Sequence, residues 1–321
     1  MAGGRAGAGP VTRRLKTGSA ASGARTRTGS GARTRTGSGA RARARLVLIG
    51  PGFSYLVVLL VLPLALVIGY TAFRRGRFGG IAYEDGVTGD NFARIADPLY
   101  AGVLTDSLRI AGITTVLALA LGYPTAYAIT RLTARWRTVA LVLVVLPFWT
   151  NFLVRTYAWI VLLSGEGVVN RALTGVGVTD RPLRLLYTEG AVVVGLLYAY
   201  LPLMVLPLYA AIERVDRRLL EASADLGARP VRTFCRVTLP LTLPGVLTGC
   251  VFVFVPSLGN FVVPELLGGG RTVMVGNLIR DQFLTARDWP FGSVLALALM
   301  AFLVLLLMAQ AWAGHRTGSR P

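Results

Sequence analysis

Two ionisable residues lie inside strongly apolar stretches of the chain. Arg155 lies in LPFWTNFLVRTYAWIVLL (146–163), one turn after Asn151. Glu265 lies in PSLGNFVVPELLGG (256–269), beside Pro264 and near Asn260. Charges in such surroundings are costly and are usually kept for a purpose. Their chemistry is recognition rather than catalysis. A carboxylate near aromatic faces suits a flexible polycation, through charge pairing and cation–π contact. Trp149, Tyr157, Trp159, Tyr198 and Tyr200 supply such faces, although interfacial anchoring or packing accounts for each of them individually. Arg155 has two readings, a partner for Glu265 or a structural anchor. Were it to line a solute path, an anionic or chelated solute would suit that path better.

A second polar feature is EASADLGARPVRTFCRVTLP, Glu221 to Pro240, which lies between two long apolar runs. Asp216 can cap a helix that begins at Arg217. Leu219, Leu220 and Leu226 give that helix an apolar side, with Glu221 and Asp225 one turn apart on another. Gly227 is a natural stop, and Pro230 suits the first turn of a second short helix. Val231, Phe234 and Val237 share one face of that helix, and Leu239 and Pro240 lead into the next apolar run. The pattern is helix, glycine turn, helix. An amphipathic linker in the lipid interface would explain the arginines. It explains the small residues Ala222, Ser223 and Ala224 less well, because these leave room for another backbone to approach.

Other chemistries are excluded by what the chain lacks. It has two cysteines, Cys235 and Cys250, and one histidine, His315, so neither CxxC nor HExxH can form. A protein zinc site needs three or four suitable ligands, and the cysteines read as free thiols in a reducing compartment. A phosphate-binding P-loop needs a Gly-Lys pair, and the only lysine, Lys16, follows Leu15. No histidine cluster, Ser/His pair or carboxylate set in the apolar runs supports a membrane-embedded enzyme. The formal charge of +19 is unevenly placed along the chain, which suits membrane topology better than a nucleic-acid face.

The elements that must hold these residues are membrane helices. Of 321 residues, 54% are hydrophobic and only 15% charged, against about 25% charged in soluble domains. Six runs are long enough to span a bilayer: 47–72, 107–130, 138–163, 191–212, 241–264 and 292–313. Residues 1–45 form an Arg/Gly/Thr-rich tail with an eight-residue repeat, SGARTRTG at 22–29 and again at 30–37, and are expected to be disordered. With the N-terminus inside, internal segments hold 22 basic residues against 4 acidic ones, and external segments hold 10 basic against 11 acidic. That surplus predicts both termini inside. Arg74, Arg75 and Arg77, just outside the first span, run against it. The expected fold is an all-α integral membrane protein of six transmembrane helices, N-in and C-in. Its permease domain covers 46–313, with a helix–Gly–helix loop at about 214–240 between spans four and five, and a cytoplasmic tail at 314–321.

The loop resembles the EAA loop of ABC-importer permeases, Glu-Ala-Ala, three residues, Gly, nine residues, Ile-x-Leu-Pro. It matches at Glu221, Ala222, Gly227, Leu239 and Pro240, with Ser223 for the second alanine and Val237 for isoleucine. Together with LYAYLPLMVLPLYAAIERVD (197–216) and RDWPFGS (287–293), the two apolar stretches quoted first are similar to the spermidine/putrescine permease subfamily. The resemblance implies one of two membrane subunits of an ATP-driven importer in the bacterial cytoplasmic membrane, working by alternating access. A cytosolic ABC ATPase dimer, carrying ATP and Mg, would bind the loop through Glu221, Ala222, Ser223, Gly227, Val237, Leu239 and Pro240. A second permease subunit and an extracytoplasmic substrate-binding protein would complete it, and this chain would bind no cofactor, metal or nucleic acid. The expected substrate path is Trp149, Asn151, Arg155, Tyr157, Tyr200, Asn260 and Glu265. Ferric iron, phosphonates or opine-like compounds are the alternative solutes.

Overall fold

The computed structural model describes residues 38–318. The expected tail therefore lies outside the described residues except at 38–45, where the outcome differs from expectation. Helix α1 (Ser38–Thr71) already includes those residues. The reason is local: residues 40–45 alternate alanine and arginine, both strong helix formers. By contacts the chain separates into two units at Val58 and Leu59. Among described residues the first unit is helix alone, and the elements below belong to the second.

A small hairpin follows that the apolar pattern did not foretell. Strands β1 (Phe73–Arg75) and β2 (Ile81–Val87) pair antiparallel. Helix α2 (Asp90–Ala93) and a 3₁₀ turn (Arg94–Ala96) come next. Buried Asn91 donates to the carbonyls of Thr71 and Phe73 at 3.1 and 2.8 Å, tying the hairpin base to the helix end. Two of the three arginines that oppose the charge bias have structural partners here. Arg75 donates to the Ala286 carbonyl at 2.6 Å, and Arg74 pairs with Asp90 at 3.3 Å.

Helix α3 (Pro98–Arg131) starts nine residues before the apolar run predicted at 107, because Asp97 caps it by accepting the Leu99 amide at 2.9 Å. The third predicted span, 138–163, is not one helix. It divides into α4 (Ala134–Trp149) and α5 (Phe152–Leu163), with Thr150 and Asn151 extended between them. At 16 residues, α4 covers only about 24 Å, short of a hydrocarbon core of about 30 Å. Helix α6 (Val168–Gly175) follows α5, and it is Phe152–Gly175, not α4, that is long and apolar enough to span here. Helix α7 (Glu189–Glu213) is the central element, capped by Thr188, whose hydroxyl accepts the Ala191 amide at 3.2 Å.

Two short helices, α8 (Arg217–Asp225) and α9 (Pro230–Thr233), precede a π-helical turn (Phe234–Thr238) and helix α10 (Leu239–Gly259). The fifth predicted span, 241–264, is also broken: α10 ends at Gly259 and α11 (Val262–Gly268) follows. Helices α12 (Val275–Leu284) and α13 (Trp289–Gly318) complete the chain, so helix continues into the predicted tail at 314. Six helical stretches among the described residues are long and apolar enough to cross a membrane: Gly52–Thr71, Pro98–Arg131, Phe152–Gly175, Glu189–Glu213, Pro230–Gly259 and Trp289–Trp312.

The core sits where α3, α7 and α10 meet. Ala118, Ala126, Met204, Leu208, Val246 and Val253 are buried against one another there. Small residues let the helices close up. A Cβ on Gly245 would stand 2.3 Å from the Ala211 Cβ and 3.0 Å from the Pro207 carbonyl, and one on Gly249 would stand 2.7 Å from the Met204 sulfur. A second cluster, with Ile110, Val192, Leu196, Val263, Leu267 and Met274, lies where α5 and α11 pack on α7.

Candidate functional site

The polar loop is built as its sequence suggests. Asp216 accepts the Arg218 amide at 2.9 Å and starts α8. The helix ends in a Schellman arrangement: the Gly227 amide reaches the Ala224 carbonyl at 2.8 Å and the Ala228 amide the Ser223 carbonyl at 3.1 Å. Gly227 has φ +73°, the left-handed conformation that glycine adopts without steric cost. Pro230 opens α9. The Ser223 and Thr233 hydroxyls bond at 2.8 Å and fasten the two helices together across the turn. The serine that departs from the alanine pattern is thus a clasp.

The second loop helix does not stop before the membrane run. It continues through the π turn into α10, and Phe234 and Leu239 pack on the α3–α7–α10 core, Phe234 edge-on to Tyr123 at 5.4 Å. The widened turn lies where Pro240 can offer no amide to the carbonyl four residues back and its ring would crowd that carbonyl. Val237 and Leu239 are half-buried; Glu221, Ala222, Gly227 and Pro240 are exposed. Leu219, Leu226 and Val231 are exposed too, Leu226 to 88%. Among the described residues Glu221 forms no ion pair. It lies on the rim of a polar cavity of about 710 Å³ with Arg131, Arg137, Glu213 and Arg217.

The intramembrane residues fall into separate groups. Asn260 accepts the Val263 amide in the first turn of α11 at 2.9 Å and donates to the Tyr200 hydroxyl at 2.7 Å. Tyr200 in turn donates to the Pro256 carbonyl at 3.4 Å. Asn151 caps α5, accepting the Leu153 and Val154 amides at 2.9 and 3.4 Å. Trp149 and Tyr157 are 81% and 56% exposed and do not join the Tyr200–Asn260 group. Trp159 and Tyr198 meet each other edge-on at 5.5 Å.

The pairing of Arg155 with Glu265 is not what forms. Arg155 reaches back across the α4–α5 break and donates to the Pro147 carbonyl at 2.7 Å, with its guanidinium 5.4 Å from the Phe152 ring and 5.8 Å from the Tyr198 ring. Glu265 pairs instead with Arg280 of α12. Arg280 also donates through Nε and Nη2 to Asp281 at 3.0 and 2.7 Å, and lies 5.8 Å from the Phe261 ring. Helix α12 can come this close because Gly276 has no side chain: a Cβ there would stand 2.6 Å from the Gly259 carbonyl. Asn277 then donates to the Phe261 carbonyl at 2.8 Å, and the Val275 amide to Ser107 at 2.8 Å. Sequence reasoning missed Arg280 because it treated 265–291 as a connection. The helical spacing of Val275, Leu278, Ile279 and Phe283 in VGNLIRDQFL is the available signal.

Residues 115–317 match the family described as binding-protein-dependent transport system inner membrane component. The chain is 44% identical over 255 residues to the spermidine/putrescine transport system permease protein PotB of Haemophilus influenzae, covering 79% of this chain and 88% of that protein. It is 42% identical over 263 residues to PotB of Escherichia coli K12, covering 82% of this chain and 94% of that one. In fold it is similar to a chain of a bacterial ABC transporter involved in the import of the acidic polysaccharide alginate, with TM-score 0.70 at 16% identity, over 87% of this chain and 98% of that chain.

Proposed function

The chain belongs to the family of binding-protein-dependent transport system inner membrane components, multi-pass proteins of the cytoplasmic membrane, and on that footing we propose that it is the permease subunit of an ATP-driven polyamine importer. The observation that carries the solute class is its likeness, over most of its length, to spermidine/putrescine permeases. The arrangement around Arg280 supports it: two carboxylates, Glu265 and Asp281, and the Phe261 ring surround one cation. Such a set also suits an alkylammonium group. The proposed route passes the helix breaks, along Trp149, Asn151, Arg155, Tyr157, Tyr200, Asn260 and Glu265.

In this reading both termini face the cytosol, supported by the surplus of basic residues on the segments that would lie inside. The α8–α9 loop is then the seat for a cytosolic ATPase dimer, on which ATP and Mg stay. This chain carries no cofactor. Exposed Leu219, Leu226 and Val231 give the contact area, and unpaired Glu221 gives a polar anchor. A second permease subunit packs in the membrane, and an external binding protein delivers the solute. ATPase closure moves the loop as a body and switches the helices between outward and inward openings.

The test is uptake of radiolabelled spermidine by vesicles holding the complex of this chain with its partner subunits and binding protein. Competition by putrescine, and not by ferric iron, phosphonates or opine-like compounds, is the expected outcome. Competition by one of the latter group alone would assign the alternative solute.

A further inference from the structure

The two breaks in the membrane helices share a construction. PFWTNFLV (147–154) and PSLGNFVV (256–263) agree in Pro-x-x-x-Asn-Phe-x-Val. In each, a helix ends one or two residues before the asparagine, at Trp149 for α4 and Gly259 for α10, and the next starts one or two residues after it, at Phe152 and Val262. In each, the asparagine side chain accepts an amide from the first turn of the second helix. In each, a long side chain from outside the motif reaches the proline carbonyl: the Tyr200 hydroxyl at 3.4 Å for Pro256, and Arg155 at 2.7 Å for Pro147, where it joins the Thr150 amide and hydroxyl at 3.3 and 2.7 Å. Carbonyls released at a helix end inside hydrocarbon need donors; at Pro147 Thr150 supplies them locally, so the Arg155 bond ties α5 back to α4.

One helix backs both. Tyr200 of α7 bonds at the second break, while Tyr198, two residues earlier on the same helix, lies under the Arg155 guanidinium of the first. Phe152, Val263, Leu267 and Tyr200 belong to one apolar cluster, so the helices that follow the two breaks pack together.

We propose that the breaks are a single paired joint, and that Arg155 and Tyr200, although the proposed route runs past them, hold the joint through backbone carbonyls and position its helices instead of gripping solute. The inference rests on the reading that solute passes these spans. Arg155 is committed to a carbonyl and so keeps its charge fixed at the joint. Helices α5 and α11 bend together against α4 and α10, with α7 as their common post. Disturbing either clasp slows the opening of the route without changing what the route binds.

The experiment uses the full chain in the reconstituted complex and measures uptake against spermidine concentration for Arg155→Met, Arg155→Lys, Tyr200→Phe and the double variant Arg155→Met/Tyr200→Phe. The expected result is a fall of about tenfold in maximal rate for the methionine and phenylalanine variants, with KM changed less than about twofold. Arg155→Lys, which keeps one donor, should recover to within about threefold of the parent. The double variant should fall no further than its worse single, as one device implies. Three results would overturn the proposal: a KM that drops in Arg155→Met with maximal rate intact, a changed preference between spermidine and putrescine, or a double variant whose loss is the product of the two singles. If Arg155→Met is not recovered from the membrane, the split between rate and KM in Tyr200→Phe decides alone. A parent chain that takes up another solute but no spermidine refutes the polyamine reading, and the same four variants are then scored with that solute.

Discussion

Glu265 and Arg280 come from different helices, α11 and α12, and neither is fully buried. The strength of their pairing is set by that exposure. Partly exposed ion pairs contribute from a few tenths to about 1 kcal/mol. A double-mutant cycle with Glu265→Gln and Arg280→Gln, read as thermal stability in detergent, should give a coupling of about 0.5–1 kcal/mol. A coupling indistinguishable from zero would mean that the two side chains do not hold each other in the membrane. Asp281 shares Arg280, so Glu265→Gln alone leaves the arginine a partner and should cost less than Arg280→Gln alone. The sequence singled out Glu265 as a charge in need of a reason, and the structure supplies Arg280 as its partner. The sequence could not name the partner, because the approach of α12 depends on a missing side chain at Gly276, whose effect appears only once two backbones meet.

In the loop between α7 and α10, almost every element was legible beforehand, since caps, a left-handed glycine and a first-turn proline are local devices. Gly227 gives the prediction that belongs to this scale. Apart from its chain neighbours, no atom of this chain lies within 4 Å of where its Cβ would be, so within the chain a substitution acts through the backbone. Gly227→Val forces a β-branched residue to φ +73° and should cost about 1–2 kcal/mol; Gly227→Asn, which tolerates that region, should cost less. Both should reach the membrane in parental amount, and valine alone should depress uptake relative to ATP hydrolysis. Equal behaviour of the two would show that the turn conformation is irrelevant to coupling. Ser223→Ala opens the hydroxyl clasp and should loosen α8 against α9, seen as faster amide exchange across 217–229. What escaped the sequence here was continuity. An apolar run does not reveal that α9 reaches α10 through a π turn, or that the third and fifth spans are broken at Asn151 and Asn260. Prolines are tolerated within membrane helices, so Pro147 and Pro256 did not mark breaks by themselves.

Across the whole molecule, the packing of α3, α7 and α10 is set by glycines facing a neighbouring helix. Gly245→Val would press methyl groups into Ala211 and the Pro207 carbonyl, and should cost about 3 kcal/mol or more, lowering both the yield and the melting temperature of the purified protein. Gly112→Val, on α3 but with nothing within 4 Å, should leave both within error of the parent. If the two variants melted alike, this account of the core would be wrong. Six apolar runs were enough to name the architecture, because long hydrophobic segments have few alternatives. The hairpin at 73–87 and helix α12 were not, since neither is long or apolar enough to stand out. The uninterrupted stretch from Pro230 to Gly259 has a mechanical meaning. Its 30 residues make a rod about 45 Å long, with the polar loop at one end and the Asn260 break at the other. A tilt of about 10° at the loop sweeps the far end through about 8 Å. Under the proposed coupling, a small rocking motion at the loop would thus be geared up into a much larger displacement at the Asn260 break.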